Sequence, residues 1–310
     1  MPAQLRNPPA PGLPRRLRLL AMTASSELGG LVAEELSLPV DERVAAMAAA
    51  IAAKHAGASR AVLFYGSCLR QKQLEGLMLD FYLIVSDYRS AYGKTWLALA
   101  NRLIPPNVFY FEHDGLAAKY AVLSEADFRR LNGPETSSVS LWARFAQPSR
   151  LVWAADESAR ERAIDAVSRA APTLLAAAGP MRGEGGLNLW RRAFALTYSA
   201  ELRAERKERF GSVVDADAER YLRFTQPALE QAVLFGSSGS WAWRRVEGKA
   251  LSVLRLAKAS ATFAGGADYI AWKINRHAGT KIALKPWQRR HPLLAGLSLL
   301  PRLLRSGAVR

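Results

Sequence analysis

The chain is poor in residues that form covalent or metal cross-links. It has one cysteine, Cys68, and four histidines in 310 residues. A single cysteine excludes an intramolecular disulfide, and the scattered histidines lack the close spacing of zinc ligands. No histidine lies near Cys68 in the sequence, so we interpret this thiol as a packing residue rather than a nucleophile.

Long apolar runs are also missing. No stretch of eighteen uninterrupted apolar residues occurs, so the sequence contains no candidate membrane span. Hydrophobic residues nevertheless make up 50% of the chain, which suffices for one large core or two smaller ones. We therefore expect a folded protein that is soluble or peripheral to a membrane.

Acidic residues are scarce at both ends of the chain. None precedes Glu27, and we predict that residues 1–25, which are rich in proline and arginine, form a mobile leader. Residues 241–310 hold fourteen lysines and arginines against two acids, a net +12 of the chain's +16. The charge is therefore concentrated in the last quarter of the sequence.

Tryptophans and leucines are interleaved with this C-terminal charge, and the chain ends in HPLLAGLSLLPRLLRSGAVR. The leucines supply apolar area that a nucleic-acid backbone does not require but a lipid interface does. We therefore interpret residues 241–310 as a basic amphipathic tail that faces an anionic membrane surface. A solvated basic helix and a nucleic-acid-binding face are the alternatives.

The most informative stretch is VLFYGSCLRQKQLEGLMLDFYLIV at residues 62–85. One apolar run leads to Gly66-Ser67, and a second, which has the pattern of a buried strand, is interrupted by Asp80. A buried carboxylate needs a cation or hydrogen-bond donors to offset its desolvation. Nucleotidyl transfer requires a glycine turn close to a triphosphate, a hydroxyl for a phosphoryl oxygen and a carboxylate for Mg2+. We predict that these residues form such a site, with a helix beginning just after Ser67 and directed at phosphate.

This segment resembles the polymerase-beta-like nucleotidyltransferase superfamily, in which Gly-Ser is followed by an acid-apolar-acid strand. The second acid position holds Tyr82, so the strand alone cannot form a two-carboxylate metal clamp. One branch also lacks that acid: the mitochondrial translocator assembly and maintenance type of CDP-diacylglycerol synthase, or phosphatidate cytidylyltransferase. Its YGS…Q…MIDF pattern is similar to the segment from Tyr65 through Gln71 to Phe81.

Three later segments resemble the same branch in the same order. Residues 107–124 resemble its strand that leads into Lys-Tyr-Gly-Val-Ile-Ser. Residues 141–153 are similar to its Trp…Gly-Arg-Leu…Lys-Pro segment, and residues 196–206 to its Leu-Ser-Tyr-Ser-Gly-Asp-hydrophobic-Arg element. The resemblance thus extends discontinuously over residues 62–230.

The resemblance implies a phosphatidate cytidylyltransferase, which makes CDP-diacylglycerol and pyrophosphate from CTP and phosphatidic acid with Mg2+. It implies that Asp80 holds the metal and that Lys119 contacts a phosphate, both as catalytic residues. Ser199 and Arg203 would share one helix face, which could present them to a triphosphate. The candidate nucleotide-binding residues are Tyr65, Gly66, Ser67, Tyr198, Ser199 and Arg203.

A second metal ligand is less defined by the sequence. Glu112 and Asp114 are the acids of the next strand region, and strand alternation does not decide whether either points inward. Glu112 is the candidate, and the resemblance offers no acidic counterpart for it.

The segment patterns predict an α/β fold. We expect a helix over 31–56 that is interrupted near Pro39, then a small mixed sheet, and helices from 156 onward. The predicted strands are 60–65, 77–85, 107–113 and 117–123, and the predicted regions are a nucleotidyltransferase domain at 26–155, a helical domain at 156–240 and the basic tail at 241–310.

The family resemblance and the basic tail also predict a location and partners. We predict a cytoplasmic protein peripheral to the inner membrane of a bacterium, with the matrix side of the mitochondrial inner membrane as the alternative. No nucleic-acid partner is expected.

Three other functions stay open. One is a nucleotidyltransferase of the same fold that modifies a small molecule, a protein or an RNA end. Another is a nucleic-acid-binding module in which the basic charge is primary. The third is a catalytically silent membrane scaffold, which Tyr82 suggests.

Overall fold

A computed structural model describes residues 27–70, 73–201, 213–236, 239–262 and 283–290. The predicted leader, Arg203 and most of the basic tail lie outside these residues. The described part is a mixed α/β fold, as the sequence predicts.

Five strands form one mixed sheet in the order β3-β4-β2-β1-β5. Strands β2 and β4 are parallel, and the other neighbouring pairs are antiparallel. The strands are β1 (Ser59–Tyr65), β2 (Met78–Val85), β3 (Asn107–His113), β4 (Leu116–Ser124) and β5 (Ser149–Ala154). The first four match the predicted strands to within one residue at each end. The sequence reading missed β5 because it is a six-residue edge strand that directly follows Pro148.

Helices cover both faces of the sheet. They are α1 (27–37), α2 (Glu42–Ala53), α3 (Tyr88–Ala91), α4 (Thr95–Leu103), α5 (Glu125–Asn132), α6 (Trp142–Phe145), α7 (Glu157–Ser168), α8 (Ala170–Ala178), α9 (Gly186–Ala200), α10 (213–215), α11 (Ala218–Phe235), α12 (Trp241–Thr262) and α13 (Pro286–Arg290). The predicted helix over 31–56 is thus two helices, and Asp41 caps the second by accepting a hydrogen bond from the Arg43 amide. Within the described ranges, no helix combines the length and apolarity needed to cross a bilayer.

Strand alternation sends side chains into two hydrophobic cores. The first core packs α2 against Phe64 of β1, Phe81 of β2 and Val122 of β4. The second core lies on the opposite face, where Leu63 and Tyr82 contact the helical layer. This second core continues into α8, α9 and α11, so the sheet and the later helices share it.

A buried ion pair joins helices α1 and α11. Arg220 of α11 donates to Glu35 of α1, with Nη2 to Oε1 at 3.1 Å, and both side chains are nearly buried. Arg220 Nη1 also donates to the carbonyl of Ala146, at 3.0 Å. Because Ala146 directly follows α6, these bonds fix α6 above the second face of the sheet.

Candidate active site

The register of the sheet aligns five polar or aromatic residues in one row. Tyr110 pairs with Lys119, Lys119 with Asp80, Asp80 with Tyr65, and Tyr65 with Ser149. Directly paired residues point to the same face of a sheet. All five therefore project from the face that carries the second core. We call the middle of this row, with the charged groups packed above it, the Asp80 site.

Asp80 and Lys119 form an ion pair at the centre of this row. Lys119 Nζ lies 2.8 Å from Asp80 Oδ1. The Asp80 side chain is 20% exposed and that of Lys119 is 23% exposed, so the pair is largely withdrawn from water yet open to a ligand. Lys119 therefore supplies the cation that the buried carboxylate was expected to need.

Gly66 brings the backbone directly over this carboxylate. Its φ is +94°, a conformation that residues with a Cβ rarely adopt. A Cβ at this position would lie 3.2 Å from Asp80 Oδ2 and 3.6 Å from Asp80 Cβ. Both the turn conformation and the close approach thus require glycine, as a phosphate-binding turn would.

The helix predicted after Ser67 is wrong. Residues Ser67–Arg70 form a single 3-10 turn, and Ser67 itself is exposed. Strand β2 returns as the antiparallel neighbour of β1, so the connection reverses the chain instead of crossing the sheet with a long helix. A helix dipole therefore contributes little here, and the Ser67 hydroxyl and the turn amides are the groups available to an anion.

Three aromatic side chains, Tyr65, Tyr82 and Phe145, pack together beside the Asp80 site. The ring centroids of Tyr65 and Tyr82 are 5.2 Å apart, and those of Tyr82 and Phe145 are 5.3 Å apart. Burial raises the pKa of both tyrosines, and the Asp80 charge raises the pKa of Tyr65 further. Both phenols thus stay protonated near neutral pH. Tyr82, which stands where the superfamily pattern has a second acid, is a core residue.

Arg144 provides a cation close to Tyr65 and Tyr82. Its Nη1 donates to Ser140 Oγ at 2.6 Å and to the Ser140 carbonyl. Burial alone would lower the pKa of Arg144, but the nearby Tyr82 and Glu201 groups raise it more, with Tyr65 and Asp80 adding to the effect. The guanidinium is therefore held charged close to the sheet row.

Helix α12 brings two more cations to the same region, because it packs against β3 and α9. Arg255 Nε donates to the Pro105 carbonyl at 2.8 Å, and Lys258 Nζ donates to the Pro106 carbonyl at 2.8 Å. Burial lowers the pKa of Arg255, while Glu201 raises it. Burial, and then the charge of Arg255, lowers the pKa of Lys258 to about 7.

The approach of α12 to α9 depends on Gly248. A Cβ on Gly248 would overlap the carbonyl oxygen of Ala200, the last residue of α9. Glu201 follows directly and is buried. The contact therefore carries the Glu201 carboxylate to within electrostatic reach of both Arg144 and Arg255.

The other predicted nucleotide-binding residues are less well placed. Tyr198 of α9 is half-buried and packs against the second core. Ser199 is exposed, and its Oγ donates to the Leu196 carbonyl of its own helix at 2.7 Å. Arg203 lies outside the described residues. The structure thus joins Tyr65, Gly66, Asp80 and Lys119 in one site and does not bring Ser199 to them.

Glu112 is not beside Asp80. It lies on the edge strand β3, on the same face, but β4 stands between the two residues. Neighbouring strands are about 4.8 Å apart, which separates β3 from β2 by roughly 10 Å. The exposed Glu112 carboxylate accepts a hydrogen bond from Tyr110. Asp114 is exposed on the β3–β4 turn with a φ of 47°.

The residues present fit a metal that arrives with its substrate. Over the described part of the chain, no three His, Cys, Asp or Glu side chains are grouped so that they could hold a metal ion. Mg2+ is commonly held by one or two protein carboxylates together with substrate phosphates and water. Asp80 can provide that one carboxylate.

A cavity of about 300 Å³ lies on the opposite face of β1, lined by Val40, Phe64, Cys68 and Arg150 among others. Cys68 is buried there as part of the first core. Arg150 donates to the Ser149 carbonyl at 2.8 Å. Arg150 pairs with Phe64 and so lies on the opposite face of the sheet from Asp80, which makes this cavity separate from the Asp80 site.

Sequence reasoning missed Arg144, Glu201 and Arg255. The first two lie inside the segments 141–153 and 196–206 that carry the family resemblance, so a signal for them existed. Arg255 had none, because it is one of many cations in a segment interpreted by its net charge.

No family model matches the chain, and a search of curated proteins gives no match.

Proposed function

We propose that this protein is a nucleotidyltransferase that transfers the CMP part of CTP to phosphatidic acid, which gives CDP-diacylglycerol and pyrophosphate. The observation that carries the proposal is the meeting of Gly66, which directly follows β1, with Asp80 of β2 and Lys119 of β4. A glycine turn that brings the backbone close to a carboxylate-lysine pair suits a triphosphate better than it suits a structural role. The choice of CTP and phosphatidic acid rests on the four family-like segments.

The cations of the Asp80 site support the binding of a triphosphate. Lys119 pairs with Asp80, Arg144 lies within electrostatic reach of Asp80 and Glu201, and Arg255 lies within reach of Glu201. Guanidinium groups bind phosphate oxygens in a fixed fork, which orients the chain of phosphates as well as neutralising it.

The reaction forms one bond and breaks one. A phosphate oxygen of phosphatidic acid attacks the α phosphorus of CTP, and the bond from that phosphorus to the bridging oxygen of the β phosphate breaks. Pyrophosphate leaves with the electron pair. The attacking oxygen is already anionic near neutral pH, so no general base is required, which agrees with the raised pKa of Tyr65.

The protein contributes positioning and charge to this step. The Gly66 turn holds the triphosphate in line, while Lys119 and Arg144 stabilise the charge that gathers on the phosphoryl oxygens. Asp80 would hold Mg2+, and the ion would supply further charge neutralisation for the leaving pyrophosphate. The acceptor is a lipid, so we place the protein on the cytoplasmic face of a bacterial inner membrane.

The test is release of pyrophosphate by purified protein with Mg2+, each of the four ribonucleoside triphosphates, and phosphatidic acid in mixed micelles. We expect release with CTP that depends on the lipid. The variant Asp80→Asn should lose at least about a hundredfold in turnover, because it removes the charge at the centre of the site. Glu112→Gln is the matched control and should stay within about threefold of wild type, since the neighbouring strand separates it from Asp80.

Each other result counts against part of the proposal. Pyrophosphate release that does not depend on phosphatidic acid would indicate another acceptor. Release with another triphosphate would indicate another base. Both results would still support a nucleotidyltransferase. No release with any triphosphate, or full activity of Asp80→Asn, would refute the proposed function.

A further inference from the structure

The cavity behind β1 has the size and the lining of a small-molecule site. It is formed where α2, β1, β5 and the 3-10 turn meet, on the face of the sheet opposite to Asp80. Its volume of about 300 Å³ equals that of about ten water molecules in the liquid and lies at the lower end of the range of ligand pockets. The space can therefore hold a molecule of about ten non-hydrogen atoms.

Most of the cavity wall is apolar. The apolar side chains include Val40, Val44, Phe64, Cys68, Leu69 and Leu74. All of these six belong to the first core or pack against it. A ligand that fills the cavity must therefore present hydrocarbon to most of the wall, since a polar group there would lose its hydration without gaining a partner.

The carboxylate of Asp41, which also lines the cavity, is already used by the fold. Its Oδ1 accepts hydrogen bonds from the Arg43 amide at 2.9 Å and from Arg43 Nε at 3.1 Å, and Arg43 Nη2 donates to its Oδ2 at 3.0 Å. Asp41 thus caps α2, and the Arg43 guanidinium balances its charge. This residue leaves no demand for a ligand cation.

The Arg150 guanidinium, in contrast, lines the cavity without an acidic partner among the described residues. Its Nη1 donates to the Ser149 carbonyl at 2.8 Å. The acids within electrostatic reach are Glu35, which is paired with Arg220, and Asp217, which lies beyond ion-pairing distance. Burial lowers the pKa of Arg150, so the surroundings disfavour a charge that the side chain nevertheless carries. An anion at this point would offset that cost.

A single cation in an apolar cavity favours one class of ligand. A neutral apolar molecule would leave the guanidinium without an anion, and an inorganic anion would leave the apolar wall uncovered. A carboxylate can accept two parallel hydrogen bonds from a guanidinium, and one such group balances one cation. We propose that this cavity binds a small apolar monoanion, a carboxylate on a hydrocarbon body, with Arg150 holding the carboxylate.

The proposed site adjoins the turn of the Asp80 site but does not depend on its chemistry. Cys68 and Leu69 belong to the 3-10 turn that begins at Ser67, directly after Gly66. A ligand in the cavity would therefore contact this turn from the side opposite to Asp80. The inference holds whether or not the protein transfers a nucleotide, so it can be tested without one.

The experiment is a calorimetric titration of the full chain with octanoate, octanol and acetate, in the absence of nucleotide. Octanoate has both a carboxylate and a hydrocarbon body, whereas octanol lacks the charge and acetate lacks most of the body. We expect one octanoate to bind per chain, at least about tenfold more tightly than either of the other probes.

Two arginine variants test the assigned contact. Arg150→Gln should weaken octanoate binding by at least about tenfold and leave octanol binding unchanged, because the apolar wall is retained. Arg60→Gln is the matched control. Arg60 of β1 is also half-buried but does not line the cavity, so this variant should bind octanoate as wild type does.

Cys68 reports where the octanoate binds. It is the one cysteine of the chain and lines the cavity, so a maleimide reagent labels no other thiol. Saturating octanoate should slow the labelling of Cys68 in wild type by at least about fivefold. The same concentration should protect Cys68 much less in Arg150→Gln.

The remaining outcomes count against the proposal or separate it from the proposed function. Equal affinities for octanoate and octanol, or an unchanged octanoate affinity in Arg150→Gln, would overturn it. Octanoate binding that leaves the labelling of Cys68 unchanged would also overturn it, since the probe would then lie elsewhere. Asp80→Asn should bind octanoate as wild type does, so absent pyrophosphate release with intact octanoate binding would refute only the proposed function.

Discussion

At the scale of single residues, Gly66 and Asp80 depend on each other. The turn at Gly66 places backbone where any side chain would meet the Asp80 carboxylate, and Lys119 holds that carboxylate from the other side. The sequence predicted from the Gly-Ser turn and the interrupted strand that Gly66 and Asp80 serve one site, but it did not predict their direct contact. It left the partner of Asp80 open between a cation and hydrogen-bond donors, because pairing of β2 with β4 is a long-range contact.

Gly66→Ala tests this dependence. A methyl group at a φ of +94° and 3.2 Å from Asp80 Oδ2 must strain the turn and displace the carboxylate. We expect unfolding free energy to fall by about 1–2 kcal/mol and turnover by at least about tenfold. Urea unfolding and pyrophosphate release measure the two effects.

Gly76→Ala separates strain from function in that test. Gly76 has a φ of +70° but open space around its Cβ position. It should lose a similar amount of stability while keeping its activity. Equal activity in the two alanine variants would show that the Gly66 turn has no special relation to Asp80.

At the scale of elements, the contact between α9 and α12 assembles the upper half of the Asp80 site. Gly248 allows the two backbones to touch, and Glu201, Arg144 and Arg255 meet as a result. A glycine inside a helix normally lowers the stability of that helix, so Gly248 by itself did not predict that α12 packs against α9. The reason for a glycine at position 248 is the nearby backbone of α9, and no local sequence pattern identifies α9 as the partner of α12.

Gly248→Ala should therefore destabilise the protein although alanine favours helix. We expect a loss of about 1–3 kcal/mol in unfolding free energy, since the added methyl must push α12 away from the Ala200 carbonyl. Gly30→Ala in α1 is the matched change, because nothing lies within 4 Å of its Cβ position, and it should stabilise by about 0.5–1 kcal/mol. Effects of the same sign in both variants, measured by urea unfolding, would contradict the close packing of α9 and α12.

At the scale of the whole molecule, the sequence predicted the positions of the strands better than it predicted which strands pair. Four strands were located because their apolar runs are long and end in turn residues, whereas β5 was missed as a short edge strand after Pro148. The polar row across the sheet follows from register, which is set by pairings between distant segments. The sequence predicted one site for Tyr65, Gly66, Asp80 and Lys119, but the direct pairing of Tyr65 and Lys119 with Asp80 could not be read from spacing.

The stability of the fold should depend on pH through Lys258. Its pKa falls from 10.5 to about 7 on folding, so the unfolded chain binds more protons than the folded one between these values. The contribution of this lysine to unfolding free energy therefore rises with pH from about 7 upward, and its full burial cost applies below pH 7.

Lys258→Met removes that dependence. The unfolding free energy of the variant should exceed that of wild type most below pH 7, and this difference should shrink as the pH rises to about 9. Urea unfolding across this range gives the difference. Lys249→Met, at an exposed position of the same helix, should track the pH dependence of wild type; a constant difference for Lys258→Met would refute the buried-amine explanation.

The parallel pairing of β2 with β4 has a consequence for how the protein reaches its folded state. Strands β1 and β2 pair antiparallel, and so do β3 and β4, which makes each pair a local unit that can form early. Asp80 belongs to one unit and Lys119 to the other, and they meet only when the two units join along the parallel seam. Because that seam closes the longest loop within this part of the sheet, its formation is the slow, entropically costly step. A chain in which this seam has not formed would hold the two antiparallel pairs without the Asp80–Lys119 ion pair, so that ion pair reports the joining of the two units.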